Sequence, residues 1–322
     1  MSISSSKPIF RPSVSVVVPI YNGEGDLRSL ISCLEAQTYP KDKVNYLLVD
    51  NNSQDLTPQL LQTAAQEAAI QGLNFRPLKA TIQSSYAARN AAIKASDSDI
   101  IAFTDADCRP QPDWLEQLIL PFVNSQVGIV AGEIMALPGS TLLEQYADRQ
   151  EILSQKHTLA NKFCPYGQTA NLAIRRSILA QVGLFRPHLT TGGDADICWR
   201  ILRETDWKIE FASQAIVRHR HRATLKELRS QWRRYGRSNR YLNELHGIAL
   251  QREFTPSEAL YRLSRWLVKE LPFHTMKIAL GKASLVDLIS TPLDLITFQA
   301  RNIGQKESKL NPISKEIEQL VE

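Results

Sequence analysis

The sequence predicts an α/β fold in which a mostly parallel sheet is flanked by helices and followed by a helical C-terminal appendage. Two observations predict it. Short β-branched apolar runs at Val14–Val18, Tyr46–Val49, Ile100–Phe103 and Val127–Val130 alternate with longer helix-patterned segments, an alternation that buries both faces of a parallel sheet. Asp50, Asp105 and Asp107 stand at the C-terminal ends of these runs, where open α/β sheets bind their ligands.

The elements follow in order. After the first run, Leu27, Leu30, Ile31 and Leu34 recur at helical spacing and form one buried stripe. The second run leads to a helix from about Pro58 to about Gly72, with Thr57 as its cap and Pro in its first turn. The third run ends in Asp105-Ala106-Asp107, and Pro110, Pro112 and Asp113 then mark a helix start. Beyond Gly132 come a long helix around Thr141–Leu159, a strand at Thr169–Ile174 and a helix from Asp194 to Arg203. Thr255-Pro256-Ser257-Glu258 reads as a capping box. It opens a helix with Leu260, Leu263, Trp266, Leu267 and Leu271 on one side. A composition shift at 247–254 divides the chain into a disordered lead-in at 1–12, a main domain at 13–247 and the helical segment 248–322.

Composition excludes several classes. With 22% charged and 43% hydrophobic residues the chain reads as a globular protein, neither disordered nor membrane-spanning. Cys33, Cys108, Cys164 and Cys198 are scattered and form no C-x-x-C, which argues for reduced thiols in a cytosol-like compartment. The N-terminus has no apolar core of a signal peptide, and Ala283–Ala300 is interrupted by Asp287, Pro292 and Asp294, so no transmembrane helix is expected. The net charge of +5 is local: residues 218–240 carry nine Arg and Lys against the single Glu227. Such a patch points to an anionic partner.

Paired carboxylates at a strand end suit a hard divalent cation that completes its shell with water and substrate phosphates. The same pair can simply cap a following helix. Three further motifs accompany it: Val14-Ser15-Val16-Val17-Val18-Pro19-Ile20-Tyr21-Asn22, Val49-Asp50-Asn51-Asn52-Ser53-Gln54-Asp55, and Ala88-Arg89-Asn90. In that order and spacing, residues 14 to about 240 resemble the family 2 glycosyltransferases of GT-A fold, whose patterns read roughly V-P-x-Y-N, V-D-D-x-S-x-D, A-R-N and D-A-D.

The resemblance implies a site. Asp50 would accept a hydrogen bond from the nucleotide base, although an Asp there also caps the turn Asn51-Asn52-Ser53. Pro19 and Tyr21 would flank the nucleotide. Arg89 would support the Asp-x-Asp loop or stand as a solvated helix charge. Asp107 would be the direct metal ligand, with Asp105 turned to the ribose or to the metal's water, and His219 would complete the shell around Mn2+ or Mg2+. Thr191-Gly192-Gly193-Asp194-Ala195-Asp196-Ile197-Cys198-Trp199-Arg200 resembles the family's G-E-D-x-D-L-x-x-R element. Gly193 stands where Glu is frequent, so the role of general base falls to Asp194, with Asp196 as its substitute. A helix N-terminus lowers a carboxyl pKa, whereas a base should be tuned upward. Gln231-Trp232-Arg233-Arg234-Tyr235 is similar to the Q-x-x-R-W of processive synthases, with Tyr235 replacing Trp, and favours single transfer. Arg222, Gln231 and Arg234 are the candidates to hold phosphate or acceptor.

The implied activity is inverting transfer from a nucleotide-diphosphate sugar, UDP in the first instance, to an acceptor hydroxyl on a lipid-linked or cell-envelope glycan. Leu225, Leu228, Trp232, Tyr235 and Leu242 form a stripe flanked by Arg229, Arg233, Arg237 and Arg240, and the tail adds apolar Trp266, Leu267, Leu285, Leu288, Ile289 and Phe298. This is the pairing of an interfacial surface, or of helices that pack on the catalytic domain while the arginines hold nucleotide or acceptor. The chain is therefore expected in the cytoplasm, peripheral on an anionic membrane surface, with no nucleic-acid partner. Two other classes compete. Gly23-Glu24-Gly25 suggests an oxidoreductase with a degenerate dinucleotide loop, lacking its third glycine. The basic patch alone would suit a non-catalytic binding protein.

Overall fold

The computed structural model describes residues 10–320, so most of the expected lead-in lies outside the described residues. β1 (Val14–Ile20) is almost wholly buried, as a Val-rich strand covered on both faces must be. α1 (Glu24–Glu35) buries Leu27, Leu30 and Leu34. β2 (Val44–Asp50) follows, then α2 (Thr57–Ile70). Thr57 is not the cap of α2; it lies inside the first turn, and its Oγ1 accepts from Gly23 N at 2.9 Å, tying α2 to α1. β3 (Asn74–Lys79) and α3 (Ser85–Lys94), capped by Ser84, precede β4 (Ile100–Thr104) and the short β5 (Cys108–Pro110).

α4 (Trp114–Ile119) and the long β6 (Val127–Ala136) follow. The single helix expected over 141–159 is two, α5 (Leu142–Arg149) and α6 (Gln155–Leu159). Glu151, at φ 46°, turns the chain between them, and Ser154 caps α6 while donating its hydroxyl to Glu133. β7 (Asn171–Arg175), α7 (Arg176–Val182), α8 (Gly193–Glu204) and β8 (Lys208–His219) complete the sheet region. α9 (Leu225–His246), α10 (Pro256–Arg265), α11 (Leu271–Ala279) and α12 (Leu285–Glu307) close the chain, with a wider π-type turn at Trp266–Glu270 between α10 and α11.

The eight strands form one sheet in the order β3-β2-β1-β4-β7-β6-β8-β5. It is parallel from β3 to β4 and mixed beyond, because β7 runs antiparallel to both β4 and β6, and β5 antiparallel to β8. The reversal positions the site: Asn171, at the start of β7, pairs with Thr104 at the end of β4. The segment before β7 is thereby delivered to the Asp105 end of the sheet.

The helices after residue 247 pack against the rest of the chain. α12 crosses α9 backbone to backbone, where a Cβ on Gly236 would stand 1.8 Å from Arg301 O and one on Gly304 would stand 2.0 Å from Arg233 O. Leu228 and Trp232 of α9 lie in a cluster with Val286, Ile289, Leu293 and Tyr146. The apolar stripe of α9 is thus spent on protein packing, a correction to its reading as an interfacial face. The tail returns to the sheet, with Leu184 N donating to Glu318 O at 2.7 Å and Leu310 and Leu320 buried in the hydrophobic cluster that holds Leu184 and Phe185. All four cysteines are free. Among the described residues no helix is long and apolar enough to cross a membrane.

Candidate active site

A cavity of about 220 Å³ lies beyond the C-terminal end of β4, lined among others by Arg89, Asp105, Asp194, His219, Arg222, Gln231 and Arg234. Its neighbour, about 330 Å³, is walled by Pro19, Tyr21, Asn51 and Gln83 and shares Ser85 and Thr190 with it. Together they form one cleft. Residues more than a hundred positions apart meet there because each comes from the same end of the sheet.

Arg89, nearly buried on α3, donates from Nη2 to Asp105 Oδ1 at 2.6 Å, which fixes the Asp-x-Asp loop. Asp107 Oδ1 lies 3.3 Å from His219 Nε2, and Arg222 Nη2 lies 3.7 Å from its Oδ2. Strand pairing sets up this contact, since Cys108 of β5 is in register with His219 of β8. Burial works against the Asp107 charge, but the bond and charge of His219, with Arg222, outweigh it and hold the carboxyl at about 2. The His219 Nδ1 is buried without a hydrogen-bond partner.

These residues fit a divalent cation. Two ligand atoms in adjacent positions of a six-coordinate shell at about 2.1 Å stand roughly 3 Å apart, close to the Asp107–His219 separation of 3.3 Å. Cys108 completes a triad of candidate ligand groups with them. Burial, then Asp105 and Asp107, push its thiol well above the usual range, and a soft sulfur is a poor partner for a hard ion.

Asp194 sits in the first turn of α8, partly exposed at the cavity wall. Its Oδ1 accepts from Thr169 Oγ1 at 3.0 Å and its Oδ2 from Thr169 N at 3.4 Å. The helix terminus does not win: burial pushes the carboxyl up, Arg89 opposes, and Asp105 adds to the rise. Gly193, in place of the expected Glu, has a packing reason. A Cβ there would meet the Tyr86 ring at 2.7 Å, so Tyr86 occupies the space a longer side chain would need.

Asp196 is not brought to the cavity. Its side chain is wholly buried, with Arg186 Nε at 3.0 Å, Arg200 Nε at 3.2 Å and His246 Nε2 at 2.9 Å. Burial raises its carboxyl, yet His246, Arg200 and Arg186 together hold it below the ordinary value. It fastens α8 to α9 and to the loop after α7, through Arg200 donating to Val182 O and Leu184 O, and so is corrected from substitute base to anchor.

Asp50 is buried, and its Oδ1 accepts from Ser53 N at 3.0 Å, the turn-capping contact. It is Asn51 that lines the cleft, its amide donating to Ala80 O and Ile82 O. The glycine loop after β1 is no phosphate cradle, since Gly23 N is bound to Thr57 and Glu24 Oε2 accepts from Leu56 N at 2.9 Å. Sequence reasoning missed Tyr86, Thr169, Tyr166 and Gln168, all on the cavity wall.

A parallel sheet ending in a buttressed Asp-x-Asp, facing a carboxylate on a helix N-terminus, is the arrangement of a GT-A transferase. The glycosyl transferase family 2 model matches residues 15–183, and the glycosyl transferase family group 2 model matches 100–299. The chain is 33% identical over 247 residues to glycosyltransferase AglE of Haloferax volcanii, covering 76% of this chain and 78% of that protein. It is 27% identical over 248 residues to the pre-mycofactocin glycosyltransferase of Mycobacterium tuberculosis, covering 74% of this chain but spanning only 49% of that longer protein. Among solved structures, the mannosyltransferase PcManGT of Pyrobaculum calidifontis, in complex with GDP-Man and Mn2+, superposes with a TM-score of 0.65 at 18% identity over 93% of this chain and 88% of that one. The chain belongs to glycosyltransferase family 2 and is a glycosyltransferase enzyme of GT-A fold. Neither the oxidoreductase nor the binding-protein reading is favoured by these matches.

Proposed function

We propose that the chain transfers a sugar from a nucleotide-diphosphate donor, UDP-linked in the first instance, to an acceptor hydroxyl with inversion. One observation carries this reading: the Asp194 carboxylate, raised in pKa and oriented by Thr169, shares a cavity with the Asp105–Arg89 pair and with His219 and Arg222. Asp194 takes the acceptor proton; among the described residues the other acid on this wall, Asp105, is engaged by Arg89, and a single displacement inverts the anomeric carbon. Asp107 and His219 would hold Mn2+ or Mg2+, which when bound offsets charge on the leaving diphosphate as a Lewis acid. Arg222 and Arg234 add fixed positive charge, and Arg89 orients Asp105 toward the ribose. Pro19, Tyr21 and Asp50 receive the base, the exposed Tyr21 offering a ring face and Asp50 its second oxygen. Gln231, bonded to Tyr235 OH at 3.0 Å, lines the acceptor side.

A panel of UDP-, GDP- and dTDP-sugars with Mn2+ tests this reading. At least one donor should be hydrolysed or transferred, and NMR of the product should show the opposite anomeric configuration. Retained configuration would refute the single-base mechanism.

The acceptor is proposed to be lipid-linked or part of an envelope glycan, with the protein peripheral on the cytoplasmic face of an anionic leaflet. The membrane face is placed on the segment from α10 through the π-type turn to the end of α11, where Leu260, Leu267, Val268, Phe273, Met276 and Leu280 are exposed beside Arg262, Arg265, Lys269 and Lys277. Each basic residue near such a leaflet contributes about 1 kcal/mol. Co-sedimentation with liposomes should require anionic lipid, weaken with salt, and fall in the Leu267→Glu, Val268→Glu double variant. Protein left in the supernatant at low salt with every lipid would remove the membrane role.

A further inference from the structure

A second cavity, about 580 Å³, opens between the α5–α6 corner, α9 and α12, and shares Tyr166, Gln168, Tyr235 and Ser238 with the cavity holding Asp194. Its wall combines aromatic rings with side-chain amides, and among the described residues it holds His157 and a single guanidinium, Arg301 of α12. The backbone crossing of α12 over α9 at Gly236 sets the position of Arg301. Its Nη2 donates to Asn239 Oδ1 at 3.1 Å, and its Cζ lies 6.0 Å from the centre of the Trp232 ring. The titratable groups facing it are Tyr166 and Tyr235, and among the described residues no carboxylate pairs with it. The one acid on the wall, Asp294, accepts instead from Tyr146 OH at 2.5 Å.

Three buried polar atoms of this wall have no hydrogen-bond partner among the described residues: Arg301 Nε, Trp232 Nε1 and Gln251 Oε1. A largely buried guanidinium with neither counter-charge nor a full set of acceptors is unfavourable unless something completes it. Two of the three free atoms are donors, so what completes them carries acceptor oxygens. Aromatic faces with a few fixed polar groups are what a sugar-sized ligand needs.

We propose that this cavity is the acceptor subsite, and that Arg301 with Trp232 Nε1 recognises a negative charge on the acceptor, so that the acceptor is an anionic glycoside bearing a phosphate or a sugar carboxylate. The proposal rests on the transferase reading, because the shared wall is what leads a hydroxyl of a ligand here toward Asp194. A neutral acceptor would leave the Arg301 charge unmatched.

The test uses the full chain with UDP and Mn2+ present to fill the donor cleft. Glucose, galactose and mannose are each supplied as the methyl glycoside, the methyl glycoside of the uronic acid, and the sugar 1-phosphate, with binding read by saturation-transfer NMR. In at least one series a charged member should bind about tenfold more tightly than its neutral counterpart, the size expected of a charge-assisted bond. Which member does so separates phosphate from carboxylate. Arg301→Gln should erase the preference while leaving the UDP dissociation constant and Tm unchanged. Trp232→Phe should weaken the same charged ligand if the Arg301 variant fails to fold. Equal binding of charged and neutral members by the unaltered protein would overturn the proposal, as would a preference that survives Arg301→Gln. Failure of UDP to bind with Mn2+, with the Arg301-dependent preference intact, would instead count against the transferase reading alone.

Discussion

Asp107→Asn should abolish transfer, and EDTA should do the same to the unaltered enzyme. The proposed place for a hard cation is between Asp107 and His219, whose ligand atoms are 3.3 Å apart, and against the cost of its burial Asp107 is held ionised to about pH 2 by His219 and Arg222. An Asn keeps the shape but loses the charge that draws a divalent ion. Loss of several kcal/mol of charge stabilisation corresponds to a rate deficit of at least about 10²-fold, at roughly 1.4 kcal/mol per factor of ten. Mn2+ binding, followed by calorimetry, should disappear in the variant, and its melting temperature should fall modestly, because the ionised Asp107 also stabilises the fold through His219 and Arg222. Full activity in EDTA would mean that Arg222 and Arg234 carry the diphosphate charge unaided, and the metal assignment would fall.

How much of this site could be read from the chain depends on the range of the contact that creates it. The carboxylates at the ends of β2 and β4 were legible because strand ends are marked locally by apolar runs, and the parallel part of the sheet places those ends together. β3 was not legible: Asn-Phe-Arg-Pro-Leu-Lys offers few apolar residues and a proline, tolerable because β3 is an edge strand. Thr169 and Tyr86 were invisible because their roles arise from the antiparallel entry of β7 and the packing of α3 under Gly193. The stripe on α9 was legible as apolar but left membrane and protein packing both open, since periodicity reports that a face is buried and not what buries it, and the cluster with α12 decides for packing. The fate of Asp196 was within reach: two residues on a helix are about 200° apart, so Asp194 and Asp196 cannot serve one cavity.

That opposition gives the second large effect. Asp194→Asn should leave nucleotide and Mn2+ affinity near wild type and cut turnover by roughly 10²–10⁴, the range for losing a general base. Asn can still accept from Thr169, so the fold and the cavity should persist. The base works only when ionised, and burial, with Asp105 adding to it against Arg89, raises the Asp194 pKa. Turnover of the unaltered enzyme should therefore fall as pH drops through a value above that of an ordinary aspartate, and this acid limb should vanish from the residual activity of Asp194→Asn. Asp196→Asn should behave in the opposite way. Removing one partner of a buried ion-pair cluster costs about 3–5 kcal/mol, here by leaving Arg200 and Arg186 without their shared carboxylate, so Tm should drop while the acid limb of the remaining activity is unmoved. Because the folded-state pKa of Asp196 is lowered, its stabilisation is present above the unfolded-state value of about 3.9 and is lost as pH falls through the folded one. The Tm deficit of Asp196→Asn should accordingly shrink in strong acid. Wild-type turnover in Asp194→Asn, or an acid limb that follows Asp196 instead, would remove Asp194 from the role of base.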